Sequence, residues 1–208
     1  MSGTGGSHYF DDAPSAVSDE RTYAIEGPGR ELRITSDTGV FSHGSLDKAT
    51  ALLLDVIREL PEPPPGEILD IGCGAGPIAV LLAARFPHRT VRAVDTNSRA
   101  VSLCDRNASS NGLPNLRACH PDDVPADASF SLVCSNPPIR VGKKELHDLL
   151  TRWLDRLTPD GRAYLVVGRN LGADSLQSWL TDQGWGTERI GSSKGFRLLR
   201  CVPRSVMG

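Results

Sequence analysis

Two short stretches of the chain carry residue types and spacings that could do chemistry. The first is Asp70-Ile71-Gly72-Cys73-Gly74-Ala75-Gly76, a glycine-rich turn between the apolar run EILDIG and a helix-like pattern. Glycines at this spacing let the backbone turn sharply and approach a ligand closely, and the helix N-terminus offers free N–H groups. On its own the pattern fits a dinucleotide, S-adenosylmethionine or no ligand at all. Two acids narrow the choice. Asp70 stands just ahead of the first glycine, where its charge suits a ligand with a cationic amino group and repels a pyrophosphate. Asp95 closes the next apolar run, TVRAVD, about 20 residues on, the place from which an acid holds both hydroxyls of a ribose. The competing role for Asp95 is a helix cap before TNSRAVSL, and Asn97 or Ser98 can already fill it.

The second stretch is Asn136-Pro137-Pro138-Ile139, which follows the apolar run FSLVCS directly. The carboxyl end of such a strand in an open α/β sheet faces the crevice where ligands bind. The prolines fix the backbone and remove two N–H donors, so carbonyls are left free to accept. An asparagine amide oxygen and a proline carbonyl together make a paired acceptor for a planar N–H₂ group. They aim its lone pair at a methyl sulfonium and stabilise the positive charge that grows during transfer. No strong base is needed, because the proton can leave afterwards. Asn-Pro also starts ordinary turns, but alongside the glycine turn and Asp95 the acceptor reading is preferred. The expected chemistry is methylation of an exocyclic planar nitrogen.

These residues need a frame. RTYAIEG and RELRITS alternate about Gly27-Pro28-Gly29, a hairpin signal. Leu46, Ala49, Leu52, Leu53, Val56, Ile57 and Leu60 recur at helical spacing before Pro61. From residue 67 short apolar runs alternate with helix candidates at 77–86, 98–111, 143–157 and 173–183. Repeated β-α units imply a mostly parallel sheet with helices on both faces. The closing WGTERIGSSKGFRLLRCV reads as two strands without an intervening helix, hence an antiparallel edge. The fold expected is α/β and Rossmann-like, with seven strands in the sheet and a short N-terminal hairpin. A flexible segment is expected over 1–20 and a single domain over 21–208.

Composition sets outer limits. With 208 residues, 39% hydrophobic and 23% charged, the chain can bury a core without staples. No apolar run is long enough to span a bilayer and no secretory signal is visible, so a cytoplasmic location is expected. Five dispersed cysteines, none at CxxC spacing, exclude a disulfide framework or zinc knuckle, and no metal site is expected. The net charge of −2 argues against a purely electrostatic nucleic-acid binder. The basic residues gather late in the chain, where they could meet phosphate or simply face solvent.

The motifs together resemble class I S-adenosylmethionine-dependent methyltransferases, and more closely the small-domain guanine-N2 ribosomal RNA methyltransferases. The resemblance runs from His8-Tyr9-Phe10 through Gly39-Val40-Phe41-Ser42, Leu46-Asp47, the glycine turn and Asp95-Thr96-Asn97-Ser98-Arg99-Ala100. It continues through Asn136 to Lys143, Gly172-Ala173-Asp174-Ser175 and Lys194-Gly195-Phe196-Arg197. It implies S-adenosylmethionine as cofactor, lined by Asp70, Gly72, Gly74 and Gly76, with Asp95 and Thr96 at the ribose. Phe41 and Asp47 would close that pocket. Asn136, Pro137, Pro138 and Ile139 would hold and stack the target base, and Arg140, Lys143, Lys194 and Arg197 would face substrate. The implied partner is ribosomal RNA or the small ribosomal subunit. Relatives carry an acid after the third parallel strand for the adenine amine; here Cys119-His120-Pro121 intervenes, and Asp122 is the nearest candidate. The same paired acceptor would equally serve a small metabolite or amino acid with an amide, amidine, guanidino or ring amine. A cofactor-binding but catalytically silent module would have no physical need for it.

Overall fold

The computed structural model describes residues 17–41, 44–138 and 142–204. His8-Tyr9-Phe10, Ser42, Ile139 and Arg140 lie outside the described residues. Within them the chain forms β1 (Arg21–Gly27), β2 (Arg30–Ser36), α1 (Lys48–Glu59), β3 (Glu67–Ile71), α2 (Pro77–Arg85), β4 (Val91–Val94) and α3 (Ser98–Ser110). There follow β5 (Leu116–Cys119), β6 (Phe130–Ser135), α4 (Lys143–Leu154), β7 (Leu157–Gly168), α5 (Ala173–Asp182), β8 (Trp185–Ser193) and β9 (Phe196–Arg204).

β1 and β2 make the expected antiparallel hairpin. The other strands form one seven-stranded sheet in the order β5-β4-β3-β6-β7-β9-β8. β3 to β7 run parallel, whereas β9 is antiparallel to both β7 and β8. The final strand therefore enters the gap beside β7, and β8 forms the outer edge. Apolar runs without alternation follow from burial on both faces. In β3, Ile68 packs into a cluster with residues of α1, α2, α3 and the hairpin, while Leu69 and Ile71 pack into one with α4 and α5. All six residues of β6 are buried.

One of these helices ends more than a residue from the sequence expectation. The fourth helix ends at Leu154, and Leu157, at helical spacing from Trp153 and Leu154, instead opens β7 opposite Phe130. Pro159 disfavours helical backbone at Thr158, and the Phe130 N–H donates to the Arg156 carbonyl, which draws the chain into the sheet.

The hairpin is fastened by two asparagines of α3. Asn107 accepts from the Thr35 N–H (2.9 Å) and donates to the Thr35 carbonyl (2.8 Å) and to the Ala75 carbonyl in the glycine turn (2.8 Å). Asn111 treats Arg33 in the same way, accepting from its N–H and donating to its carbonyl. These amides act as an extra strand along β2. The chain entering the hairpin is also tied down, since Ser18 Oγ and the Asp19 N–H both donate to Asp37. Burial alone would raise the Asp37 carboxyl, but those bonds, the Thr38 N–H and the charge of Arg99 outweigh it and hold it below its ordinary value. Asn107→Ala should destabilise the fold by about 2–4 kcal/mol, because three backbone groups lose their partner around a residue only 2% exposed. Urea denaturation measures this; a loss under about 1 kcal/mol would contradict the fastening role.

Candidate active site

The glycine turn leaves β3 and enters α2 through three left-handed residues, Gly72, Gly74 and Gly76, with φ of 70°, 55° and 86°. At Gly76 a side chain is excluded twice, since an added Cβ would also lie 2.5 Å from Cys104 Sγ. Gly76 caps α2 with no side chain of its own. Asp70 supplies the missing acceptor, taking the Ala79 N–H on Oδ2 at 3.1 Å. Its other oxygen, Oδ1, is buried with no hydrogen-bond partner. Burial pushes the Asp70 carboxyl up to about 8, against the Ala79 bond and helped by the charge of Asp95. An orphaned buried carboxylate oxygen at a backbone-rich turn fits a ligand that brings an ammonium group.

Asp95 braces the same turn from the end of β4. Its Oδ2 accepts the Gly74 N–H (2.9 Å) and its Oδ1 the Asn97 N–H (2.9 Å), while Asn97 itself caps α3. Each carboxylate oxygen keeps lone pairs for hydroxyl donors, and the residue is half-buried. Asn97 and Arg99 reach across to the segment before α1, donating to the Gly39 and Thr38 carbonyls at 3.0 and 2.8 Å. They hold Phe41, 67% exposed, over the turn.

Beneath Phe41 lies a narrow cleft that opens to solvent. Of the residues expected at the site, Phe41, Asp47, Gly72, Gly74 and Asn136 line it. Leu46 lines it too, as do Tyr23, Thr50 and Ile78, which the sequence motifs had not marked. Tyr23 belongs to the alternating hairpin run, where any aromatic reads as core. Burial, and then the charge of Asp47, push its phenol up to about 12. Thr50 sits on the buried stripe of α1. Gly76, Asp70, Asp95 and Thr96 stand behind or beside the cleft rather than on its wall, and Thr96 is exposed.

Asn136 closes the opposite side of the cleft at the end of β6. Its Nδ2 donates to Asp47 Oδ2 at 2.9 Å and to Thr50 Oγ1 at 3.1 Å. Pro137 is buried and Pro138 exposed, with Pro138 Cδ 3.7 Å from where a Gly72 Cβ would stand. The amide and the glycine turn thus face one another across a narrow gap.

The remaining expected residues are spread more widely. Asp122 is exposed and pairs with Arg152 of α4 at 2.9 Å. Lys143 opens α4 and faces a separate groove beside His147 and Trp179. Lys194 lies exposed in the β8–β9 turn, which stands at the carboxyl end of β7, the same end as Asn136 and the glycine turn. Arg197 is drawn to Asp174 (3.5 Å) and Ser192 Oγ (3.0 Å). Among the described residues no group of three or more His, Cys, Asp or Glu side chains is placed to hold a metal, and no helix is long and apolar enough to cross a membrane.

The structure thus sets the glycine turn, Asp95 and Asn136 around one cleft, and comparison with known proteins gives the chain a family. The model of the methyltransferase small domain matches residues 31–200. The chain belongs to this methyltransferase family. The methyltransferase is 34% identical over 93% of its length to an uncharacterized protein, YbxB, of Bacillus subtilis, covering 96% of that protein. It is also 38% identical to the ribosomal RNA small subunit methyltransferase C of Pseudomonas entomophila over 85% of this chain and 52% of that one. Among solved structures, a T. thermophilus 16S rRNA N2 methyltransferase in complex with AdoMet and guanosine superposes with a TM-score of 0.76. That match has 25% identity over 92% of this chain and 52% of the other. The methyltransferase spans about half the length of these rRNA methyltransferases.

Asp95→Ala should weaken AdoMet binding by about 1–3 kcal/mol, the scale of charge-assisted hydrogen bonds to hydroxyls. Isothermal titration would measure it, and an unchanged affinity would remove Asp95 from the ribose.

Proposed function

We propose that this methyltransferase transfers a methyl group from S-adenosylmethionine to an exocyclic planar amine, the guanine N2 of small-subunit ribosomal RNA. The observation that carries the reading is the amide of Asn136. Its Nδ2 is committed to Asp47 and Thr50, which leaves Oδ1 as the atom that can accept from a substrate. With the Pro137 carbonyl it forms a pair of acceptors for the two N–H bonds of an aromatic amine.

S-adenosylmethionine supplies an electrophilic methyl group on a sulfonium when bound. Asp95 and the turn around Gly74 bind its ribose, and Asp70 offers charge to its ammonium. Phe41 and Tyr23 give the cleft aromatic walls. Asn136 Oδ1 and the Pro137 carbonyl hold the amine so that its lone pair points across the gap, and they stabilise the cationic nitrogen as it forms. The proton then leaves to solvent. A guanine amine paired within a helix cannot reach this position, so the base is presented unstacked.

Two cations on the site end of the molecule are open to phosphate. Lys143 and Lys194 are exposed and carry no ion pair among the described residues. In contrast, Lys144 is paired with Asp148 and Arg200 with Glu188. The rRNA relatives named above support the substrate class, and a cytoplasmic site of action belongs to the same proposal. The test is incubation with methyl-labelled S-adenosylmethionine and three acceptors: naked ribosomal RNA, assembled small subunits and a small-molecule extract. Label in RNA or subunits, mapped to a guanine N2, is the expected result. Label confined to the small-molecule fraction would overturn the RNA reading in favour of a metabolite amine.

A further inference from the structure

The two ends of an asparagine amide have the same shape, and only the oxygen end can receive a substrate amine. Something must decide which end faces the cleft. We infer that Asp47 is the positioning residue that turns the carbonyl of Asn136 toward substrate, a role that rests on the methyl-transfer reading above.

The argument follows from donor and acceptor chemistry along one short chain of bonds. Asp47 is the N-cap of α1, and a single oxygen, Oδ2, takes three contacts: the Thr50 N–H at 2.8 Å, Thr50 Oγ1 at 2.9 Å and the Asn136 amide at 2.9 Å. A carboxylate only accepts. The Thr50 hydroxyl must therefore spend its proton on Asp47, and its lone pairs are left to accept. The amide atom that lies 2.9 Å from Asp47 and 3.1 Å from Thr50 Oγ1 then has two acceptors before it. Only the NH₂ end satisfies both, so the carbonyl end is turned away from them. The reversed amide would set its oxygen against the carboxylate. No cation among the described residues forms an ion pair with Asp47, so its charge acts on the amide. Polarising the NH₂ toward the carboxylate places more negative charge on Oδ1, the atom that meets the developing cation. The bonds join residues 86 and 89 positions apart in the chain, so helix α1 and strand β6 must both be in place before the acceptor is aimed.

Asp47→Ser separates this role from helix capping, because serine still caps the Thr50 N–H but its shorter arm does not extend to Asn136. It should lower kcat by about 30–100-fold with little change in KM for S-adenosylmethionine. Adding the change to Asn136→Ala should cost nothing further, since the two act through one contact. Asp47→Asn can keep all three contacts on its single oxygen and should restore kcat to within about tenfold of wild type. A readout free of substrate is the ¹H–¹⁵N side-chain amide pair of Asn136, identified by its disappearance in Asn136→Ala. In the wild type its protons should exchange slowly, and in Asp47→Ser they should exchange like an exposed amide. An Asn136 pair indifferent to Asp47→Ser, or a kcat that survives it, would overturn the inference. Failure of the wild type to methylate any RNA acceptor would overturn the substrate reading instead, and the amide pair would then decide the positioning role by itself.

Discussion

Asn136→Ala should lower kcat by about 10²–10³-fold while AdoMet affinity stays close to that of wild type. The asymmetry follows from where the residue stands. The groups proposed above to hold the cofactor, Asp95 and the turn between β3 and α2, bond to one another, whereas the amide of Asn136 bonds to Asp47 and Thr50. On the proposed function, the substitution removes the acceptor that becomes more valuable as the amine turns cationic, an interaction stronger in the transition state than in the ground state. It also leaves the Asp47 oxygen without one of its donors. Single-turnover transfer of labelled methyl, measured beside calorimetric binding, separates the two quantities. A rise in KM for the acceptor with kcat unchanged would mean that Asn136 binds the base without assisting transfer.

Asp70 gives the second large effect, and it is a matter of protons. Its carboxyl is held up near 8 by burial, opposed by the Ala79 bond and reinforced by Asp95. A carboxyl whose folded value lies above its unfolded one binds its proton more tightly in the native state. Its contribution to stability is complete below the unfolded value of 3.8 and is lost as pH rises to about 8. Asp70→Asn keeps the uncharged form at every pH. The apo variant should match wild type near pH 4 and exceed it progressively toward pH 8, by up to a few kcal/mol at about 1.4 kcal/mol per unit. Chemical denaturation across this range would show it, and parallel curves for the two proteins would refute it. Ligand binding should reveal the same proton. An ammonium brought to the turn favours the carboxylate, so S-adenosylmethionine binding at pH 7 should release a proton from Asp70. The binding enthalpy of wild type should then depend on the ionisation enthalpy of the buffer, and that of Asp70→Asn should not. Stability gained and affinity lost in one substitution is the trade expected of a charge kept buried for a ligand.

Much of this frame could be read from periodicity. The runs EILDIG and FSLVCS became central strands because continuous apolar character can be satisfied only between two helical layers. The glycine turn, Asp95 and Asn136 were legible because turn geometry and charge restrict residue type locally. What stayed hidden depends on partners distant in the chain. Tyr23 looks like any hairpin aromatic, and Thr50 like a neutral member of a helix face, until folding sets both beside Asp47. Asn107 and Asn111 carry no periodic signal, yet they bind the edge of β2 to α3 through their amides. Asp122 was read by analogy of position, and its ion pair with Arg152, 30 residues on, could not be seen in the sequence. Leu157 had helical spacing but met a proline and a strand partner.

The placement of β9 between β7 and β8 gives the molecule a timetable. Every residue of the cleft, from Tyr23 to Asn136, is synthesised before the strand that completes the sheet. Until Phe196–Arg204 arrives, β7 has an open flank and β8 has nothing to pair with. A nascent chain therefore passes through a stage in which its cleft residues are all made while two strand edges stand bare, the condition under which chains pair with one another. The polar run TERIGSS in β8 suits both conditions, a strand that waits for its neighbour and one that ends as the outer edge of the sheet.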